Sequence, residues 1–211
     1  MAATVELRTP EGPARIHVDG HGSCLLVLGH GAGGGPDACD LVAARDAGTA
    51  AGFRVVRVEQ PWRLAGRRVA PRPAQLDRSW MDVLRQLPTV LSHDGPLVVG
   101  GRSSGARVAC RTAGEMGAVA ILALAFPLVP PRRGASRLPE LLAPSVPRLV
   151  VQGSRDVFGI PAGTPGLEVV QIAGADHGFQ VRRRDGRTGS EVLAELTQIV
   201  RSWLERVADL G

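Results

Sequence analysis

Ser103 sits at the centre of Gly101-Arg102-Ser103-Ser104-Gly105, a Gly-x-Ser-x-Gly pentapeptide. An apolar run, Pro96-Leu97-Val98-Val99, leads into it. A helix-forming run, Ala106-Arg107-Val108-Ala109-Cys110-Arg111, follows. Strand, sharp turn and helix are the setting in which a serine is held on a strained turn with its hydroxyl exposed at the top of a sheet. Gly101 and Gly105 have no Cβ, so strand and helix can approach closely there. Ser103 is therefore a candidate nucleophile for acyl transfer. A serine hydroxyl is weak until a base takes its proton, and the base needs a third group to orient it. The chemistry thus calls for a histidine and an acid elsewhere in the chain.

Both occur downstream. Arg148-Leu149-Val150-Val151-Gln152 reads as a buried strand and runs through Gly153-Ser154-Arg155 to Asp156. Leu167-Glu168-Val169-Val170-Gln171-Ile172 reads as another strand, followed by Ala173-Gly174-Ala175-Asp176-His177-Gly178-Phe179. Ser103, Asp156 and His177 each fall just past the C-terminal end of a predicted strand, the edge at which open parallel sheets build their sites. The chain order serine, acid, histidine differs from the orders of the chymotrypsin and subtilisin types. In these roles Ser103 attacks an acyl carbonyl, His177 moves the proton, and Asp156 fixes the imidazole tautomer. Asp176 is the competing acid. As the neighbour of His177 it is expected to point elsewhere and to cap nearby backbone.

Upstream, Cys24-Leu25-Leu26-Val27-Leu28 is a short core-strand pattern followed by Gly29-His30-Gly31-Ala32-Gly33-Gly34-Gly35. This glycine-rich loop resembles one that supplies an oxyanion-hole amide. Ala32 is the first choice of donor and Gly31 the second, with the Ser104 amide as the partner donor. His30 and Arg102 are candidate substrate contacts, although hydrogen bonding to loop backbone is the simpler role for His30, and Arg102 has pairing with a helix as its alternative. Arg182-Arg183-Arg184 reads as a solvated turn.

The elements that must position these residues can be placed by pattern. Thr4 to Arg8 and Ala14 to Val18 alternate about Glu11-Gly12-Pro13, which predicts an N-terminal antiparallel hairpin. Strands over 25–28, 54–58, 97–99, 118–124, 148–152 and 168–172 then alternate with helices over 40–51, 74–91, the stretch after Ser103, and 190–207. The last shows apolar residues at Val192, Leu193, Leu196, Ile199, Val200, Trp203, Leu204 and Val207, one wide helical face. Repeated β–α alternation predicts an α/β fold with a mostly parallel sheet and helices on both faces. Between Phe126 and Arg148 the Pro- and Arg-rich stretch leaves room for a loop and a helical turn at 138–142. No large cap and a rather open site are expected.

The chain has 211 residues, enough for one α/β domain spanning 1–211. Aromatics make up 3% and tyrosine is absent, so the core must be aliphatic. The net charge of +5 raises the question of nucleic acid. All 25 basic residues are arginines, which reads as a composition bias, and the aromatic platforms that stack bases are scarce. No nucleic-acid partner is expected. Cys24, Cys39 and Cys110 are scattered with no CxxC spacing. No signal-like N-terminus is present, and the longest apolar run is too short to span a bilayer. A soluble cytoplasmic protein with no membrane partner is expected. No metal-ligand spacing occurs and no Gly-x-Gly-x-x-Gly opens a helix, so neither metal nor cofactor is expected.

Taken together, Gly29-His30-Gly31-Ala32-Gly33-Gly34, Gly101-Arg102-Ser103-Ser104-Gly105-Ala106-Arg107, Phe126-Pro127-Leu128, Gln152-Gly153-Ser154-Arg155-Asp156 and Ala175-Asp176-His177-Gly178-Phe179 resemble the α/β-hydrolases. The resemblance is to a small cap-less branch, that of the NSL-complex-subunit and testis-expressed type proteins, close to dienelactone-hydrolase-like enzymes. It covers roughly residues 24 to 204. It implies the α/β-hydrolase fold and carries nucleophile, acid and base onto Ser103, Asp156 and His177. Ser104 departs from the branch, which often has methionine there, but the backbone amide is unaffected. The resulting expectation is a cofactor-free serine hydrolase acting on a small ester, thioester or related acyl compound. The alternative is a protein-interaction module that keeps a hydrolase fold with little or no turnover.

Overall fold

The computed structural model describes residues 3–130 and 134–208. Pro131, Arg132 and Arg133 of the expected Pro- and Arg-rich loop lie outside the described residues. The chain opens with β1 (Ala3–Thr9) and β2 (Gly12–Asp19), which pair antiparallel as the predicted hairpin. Then come β3 (Cys24–Gly29), α1 (Cys39–Ala50), β4 (Phe53–Glu59), α2 (Pro61–Leu64) and α3 (Pro73–Leu91). β5 (Leu97–Arg102), α4 (Ser104–Thr112), β6 (Ala120–Leu124), α5 (Leu138–Leu142) and β7 (Arg148–Gly153) follow, then β8 (Leu167–Ile172) and α6 (Gly189–Ala208).

The eight strands form one sheet in the order β1-β2-β4-β3-β5-β6-β7-β8. β2 meets β4 antiparallel, and from β4 to β8 every pairing is parallel. Successive side chains of the parallel strands enter opposite layers, because Cβ direction alternates along a strand. Leu25 and Val27 pack with Trp80, Leu84 and Val108 on one face. Leu26 and Leu28 pack with Leu41, Ala44, Leu196 and Leu204 on the other. Both faces are therefore covered by helices, which is why these strands read as continuous apolar runs. α6 contributes most of the predicted face: Val192, Leu196, Val200, Trp203, Leu204 and Val207 are buried, while Leu193 and Ile199 at its margin are half-buried.

Departures from the sequence reading are local. β6 begins at Ala120, two residues late, because the Ala118 amide closes the end of α4 on Ala113 O instead of joining the sheet. The short α2 was not expected. It starts at Pro61, whose fixed φ suits a first helical position, and it sets Trp62 against His30 with ring centroids 5.5 Å apart. Between Phe126 and Arg148 the described residues hold one helix, the short α5, at the predicted position. No helix among the described residues is long and apolar enough to cross a membrane.

Candidate active site

The elbow forms where β5 turns into α4. Ser103 has φ 52° and ψ −109°, a sparsely populated conformation for a residue with a Cβ. Its amide donates to Leu124 O at 2.9 Å, which ties the turn to the end of β6. The flanking glycines answer a packing demand. A Cβ on Gly101 would stand 2.4 Å from Gly29 O, and one on Gly105 would stand 2.2 Å from the same oxygen. The β5–α4 turn thus lies directly against the end of β3. That contact brings the glycine-rich loop to the nucleophile, since a Cβ on Gly31 would be 3.5 Å from Ser103 Cβ.

His177, in the loop after β8, is placed with Nε2 3.0 Å from Ser103 Oγ. Its Nδ1 lies 2.7 Å from Asp156 Oδ2, in the loop after β7. With the proton on Nδ1 donated to the carboxylate, Nε2 is free to accept from the serine hydroxyl. The Asp156 side chain is fully enclosed, and its Oδ1 accepts the Phe158 amide at 2.9 Å. The Phe158 ring leans over the imidazole at 4.4 Å between centroids. Three chain segments separated by up to 74 residues thereby meet in one hydrogen-bonded line.

Asp176, the competing acid, faces its own loop: Oδ1 accepts the Gly178 and Gln180 amides at 2.8 and 2.9 Å. The Ala32 and Ser104 amides donate to no other backbone group among the described residues. The Gly31 amide likewise donates to no backbone group among the described residues, while Gly31 O accepts the Gly34 amide. His30 is buried, and both ring nitrogens meet backbone. Nδ1–H donates to Gly31 O at 2.9 Å, while Nε2 accepts the Gln60 amide at 3.1 Å. Burial holds its pKa below the ordinary histidine value, in keeping with a neutral ring. Neither nitrogen is left to face a substrate.

Arg102 also turns inward. Its Nε lies 2.6 Å from Asp40 Oδ2 at the start of α1, and its Nη2 donates to His177 O at 3.1 Å. Nη1 would meet a Cβ on Gly31 at 2.9 Å. The guanidinium thus touches the glycine-rich loop, the histidine loop and α1 together. Asp40 is buried, and burial raises its pKa although the Arg102 charge opposes the rise. A cleft of about 350 Å³ opens beside this pair, lined by Gly33, Gly34, Cys39 and Gly178 among others. A larger apolar cleft of about 490 Å³, lined by Leu84, Leu87, Pro96 and Met116, lies at the opposite end of the strands. Burial pushes the Cys110 thiol up to about 12, so it stays protonated inside the core. Among the described residues no group of three or more His, Cys, Asp or Glu side chains could hold a metal ion.

Sequence reasoning missed Asp40, Gln152 and Phe158 as parts of this site. Asp40 sits in a helix with no motif to mark it, and Gln152 opens the motif that ends at Asp156 but was given no role there. Phe158, two residues past Asp156, lay within reach of a motif but carries no chemistry of its own.

Residues 22–205 match a protein family described as an alpha/beta hydrolase domain. No curated protein sequence matches the chain. Among solved structures, an α/β serine hydrolase without a lid from Xanthomonas campestris has 20% identity and a TM-score of 0.72, over 96% of this chain and 94% of that one. An α/β serine hydrolase homologue from Coxiella burnetii has 18% identity and a TM-score of 0.73, over 96% and 97%. The Pyrobaculum calidifontis esterase has 17% identity and a TM-score of 0.67, over 97% and 85%. At such identities the likeness is one of fold.

Proposed function

The chain belongs to the alpha/beta hydrolase domain family, and from that premise we propose that it is a serine hydrolase cleaving a small ester, thioester or related acyl compound. The observation that carries the reading is the line Ser103 Oγ, His177 Nε2, His177 Nδ1, Asp156 Oδ2, with contacts of 3.0 and 2.7 Å. In this reading His177 takes the Ser103 proton as Oγ attacks the acyl carbonyl. Asp156 stabilises the resulting imidazolium, which then protonates the leaving group. Water repeats the sequence on the acyl-enzyme and regenerates the serine. The Ala32 and Ser104 amides receive the developing oxyanion, a contribution of a few kcal/mol (about 3) to barrier lowering. A fold with no cap among the described residues suits a small substrate held at an open edge. Within the family we place the chain beside the cap-less branch of the NSL-complex-subunit and testis-expressed type, on the motifs around Ser103 and Asp156. The unpaired cysteines favour a reducing cytoplasm.

A fluorophosphonate serine-hydrolase probe tests the reading. Wild type is expected to label and Ser103→Ala to lose labelling entirely, as does heat-denatured wild type. A folded wild type that does not label would overturn the reading and leave an interaction module on a hydrolase fold.

A further inference from the structure

We infer that Gln152 is a positioning residue for the proposed reaction: its carboxamide orients Asp156 and moderates the charge that Asp156 presents to His177. The inference rests on the reading of Ser103, His177 and Asp156 given above.

Gln152 lies on β7 with no exposed surface. An amide enclosed in an α/β core is costly unless it is hydrogen-bonded. Its Nε2 stands 2.8 Å from Asp156 Oδ2, 3.0 Å from Phe126 O and 3.0 Å from Gly159 O. Three acceptors around one end of the carboxamide settle which end is the amine. Turned over, Oε1 would face a carboxylate and two carbonyls. In the orientation that results, Oε1 is buried with no hydrogen-bond partner among the described residues. The fold tolerates that unsatisfied oxygen in order to direct N–H groups at Asp156 and its flanking backbone.

Asp156 Oδ2 therefore receives two donors, the Gln152 amide and His177 Nδ1–H at 2.7 Å. Oδ1 receives the Phe158 amide at 2.9 Å. The carboxylate cannot rotate without breaking one of these. A neutral donor on Oδ2 draws charge away from the oxygen that faces the imidazole. The orientation of His177 and the charge it faces are thus both set one step behind it, as happens behind metal ligands and catalytic bases elsewhere. Gln152 touches neither substrate nor the reacting atoms.

The test is the second-order rate of fluorophosphonate labelling across about pH 5 to 9 for wild type, Gln152→Met and Gln152→Glu, with thermal melts of each. Gln152→Met keeps the volume and removes the donor, and is expected to slow labelling about tenfold near neutral pH. Gln152→Glu puts a second carboxyl against Asp156 inside the core, where the two cannot both ionise. The pair keeps one negative charge and a shared proton, so a donor still faces Asp156 and the labelling rate should stay within about threefold of wild type. In Gln152→Met no donor draws charge from Oδ2, so the imidazolium is favoured and the acid limb should move upward by about half a pH unit or more. A purely structural glutamine would lower the melting temperature of Gln152→Met while leaving its limb in place and its rate within about twofold. That result in folded Gln152→Met would overturn the inference. If Gln152→Glu does not fold, the uncharged Gln152→Met still decides by its rate. A wild type that never labels overturns the serine-hydrolase reading and this inference with it, whereas labelling that is insensitive to both variants overturns this inference alone.

Discussion

Arg102 and His30 flank the proposed chemistry, and each directs its polar atoms at protein groups. Arg102 bridges Asp40 and the His177 carbonyl, so its loss should act through the imidazole and not through substrate affinity. Arg102→Ala is expected to lower kcat about tenfold or more with KM changed less than about twofold, from loss of a charge-assisted contact. Steady-state kinetics on a short acyl ester checks this; a raised KM with unchanged kcat would make Arg102 a substrate ligand after all. His30 carries a pH prediction. Burial lowers its pKa from 6.5, so the unfolded chain binds a proton that the folded protein resists. The stability it contributes is full above that value and is lost as pH falls through the lowered one. Denaturant midpoints measured at about pH 7.5 and 5.5 should fall toward acid, and His30→Gln should shrink the difference. An unchanged difference in the variant would refute the assignment. The motifs pointed to His30 and Arg102 as residues but not to their directions, because a direction depends on Gln60, Asp40 and His177, which are distant in sequence.

At the scale of elements, α5 depends on charge to hold its place. Glu140 receives Arg107 Nε and Nη2 at 2.8 and 2.6 Å and Arg111 Nη1 at 3.0 Å, both from α4. Arg111 in turn grips Asp77 of α3 at 2.9 and 2.6 Å. Burial raises the Glu140 pKa, but the Arg107 and Arg111 guanidinium groups outweigh it and hold the carboxyl below 4.5. Because the groups are partly solvated, Glu140→Gln should cost only about 1–2 kcal/mol. Urea unfolding reads that loss, and a change below about 0.3 kcal/mol would show the network to be idle. A helical turn at 138–142 was expected only from the room left between Phe126 and Arg148, and α5 forms there. Its attachment was not legible, since Arg107, Arg111 and Glu140 show no local pattern that pairs them. Strands and long helices were the most readable elements, because each is buried on a whole face and must display its period. The short α2 was not, as one turn is too brief to show one.

At the scale of the molecule, one sheet with helices on both faces presents the β5, β7 and β8 loops along one edge, without a cap among the described residues. Substrate therefore meets the proposed site without a segment having to open. Hydrolysis of a sparingly soluble ester should rise smoothly with concentration and show no jump at the solubility limit, the jump being the mark of a lid that opens on an interface. Continuous rate measurements across that limit check it, and a sharp acceleration would reveal a gating segment. The sequence by itself determined the alternation of strand and helix, the elbow, and the order of Ser103, Asp156 and His177. Those follow from local rules of periodicity, glycine geometry and residue chemistry. Tertiary structure alone decided that Arg102 turns to Asp40 at the start of α1 and that His30 turns to the Gln60 amide. Both are contacts between separate elements, fixed by how β3, β4, β5 and α1 lie side by side, and no single stretch of chain contains either.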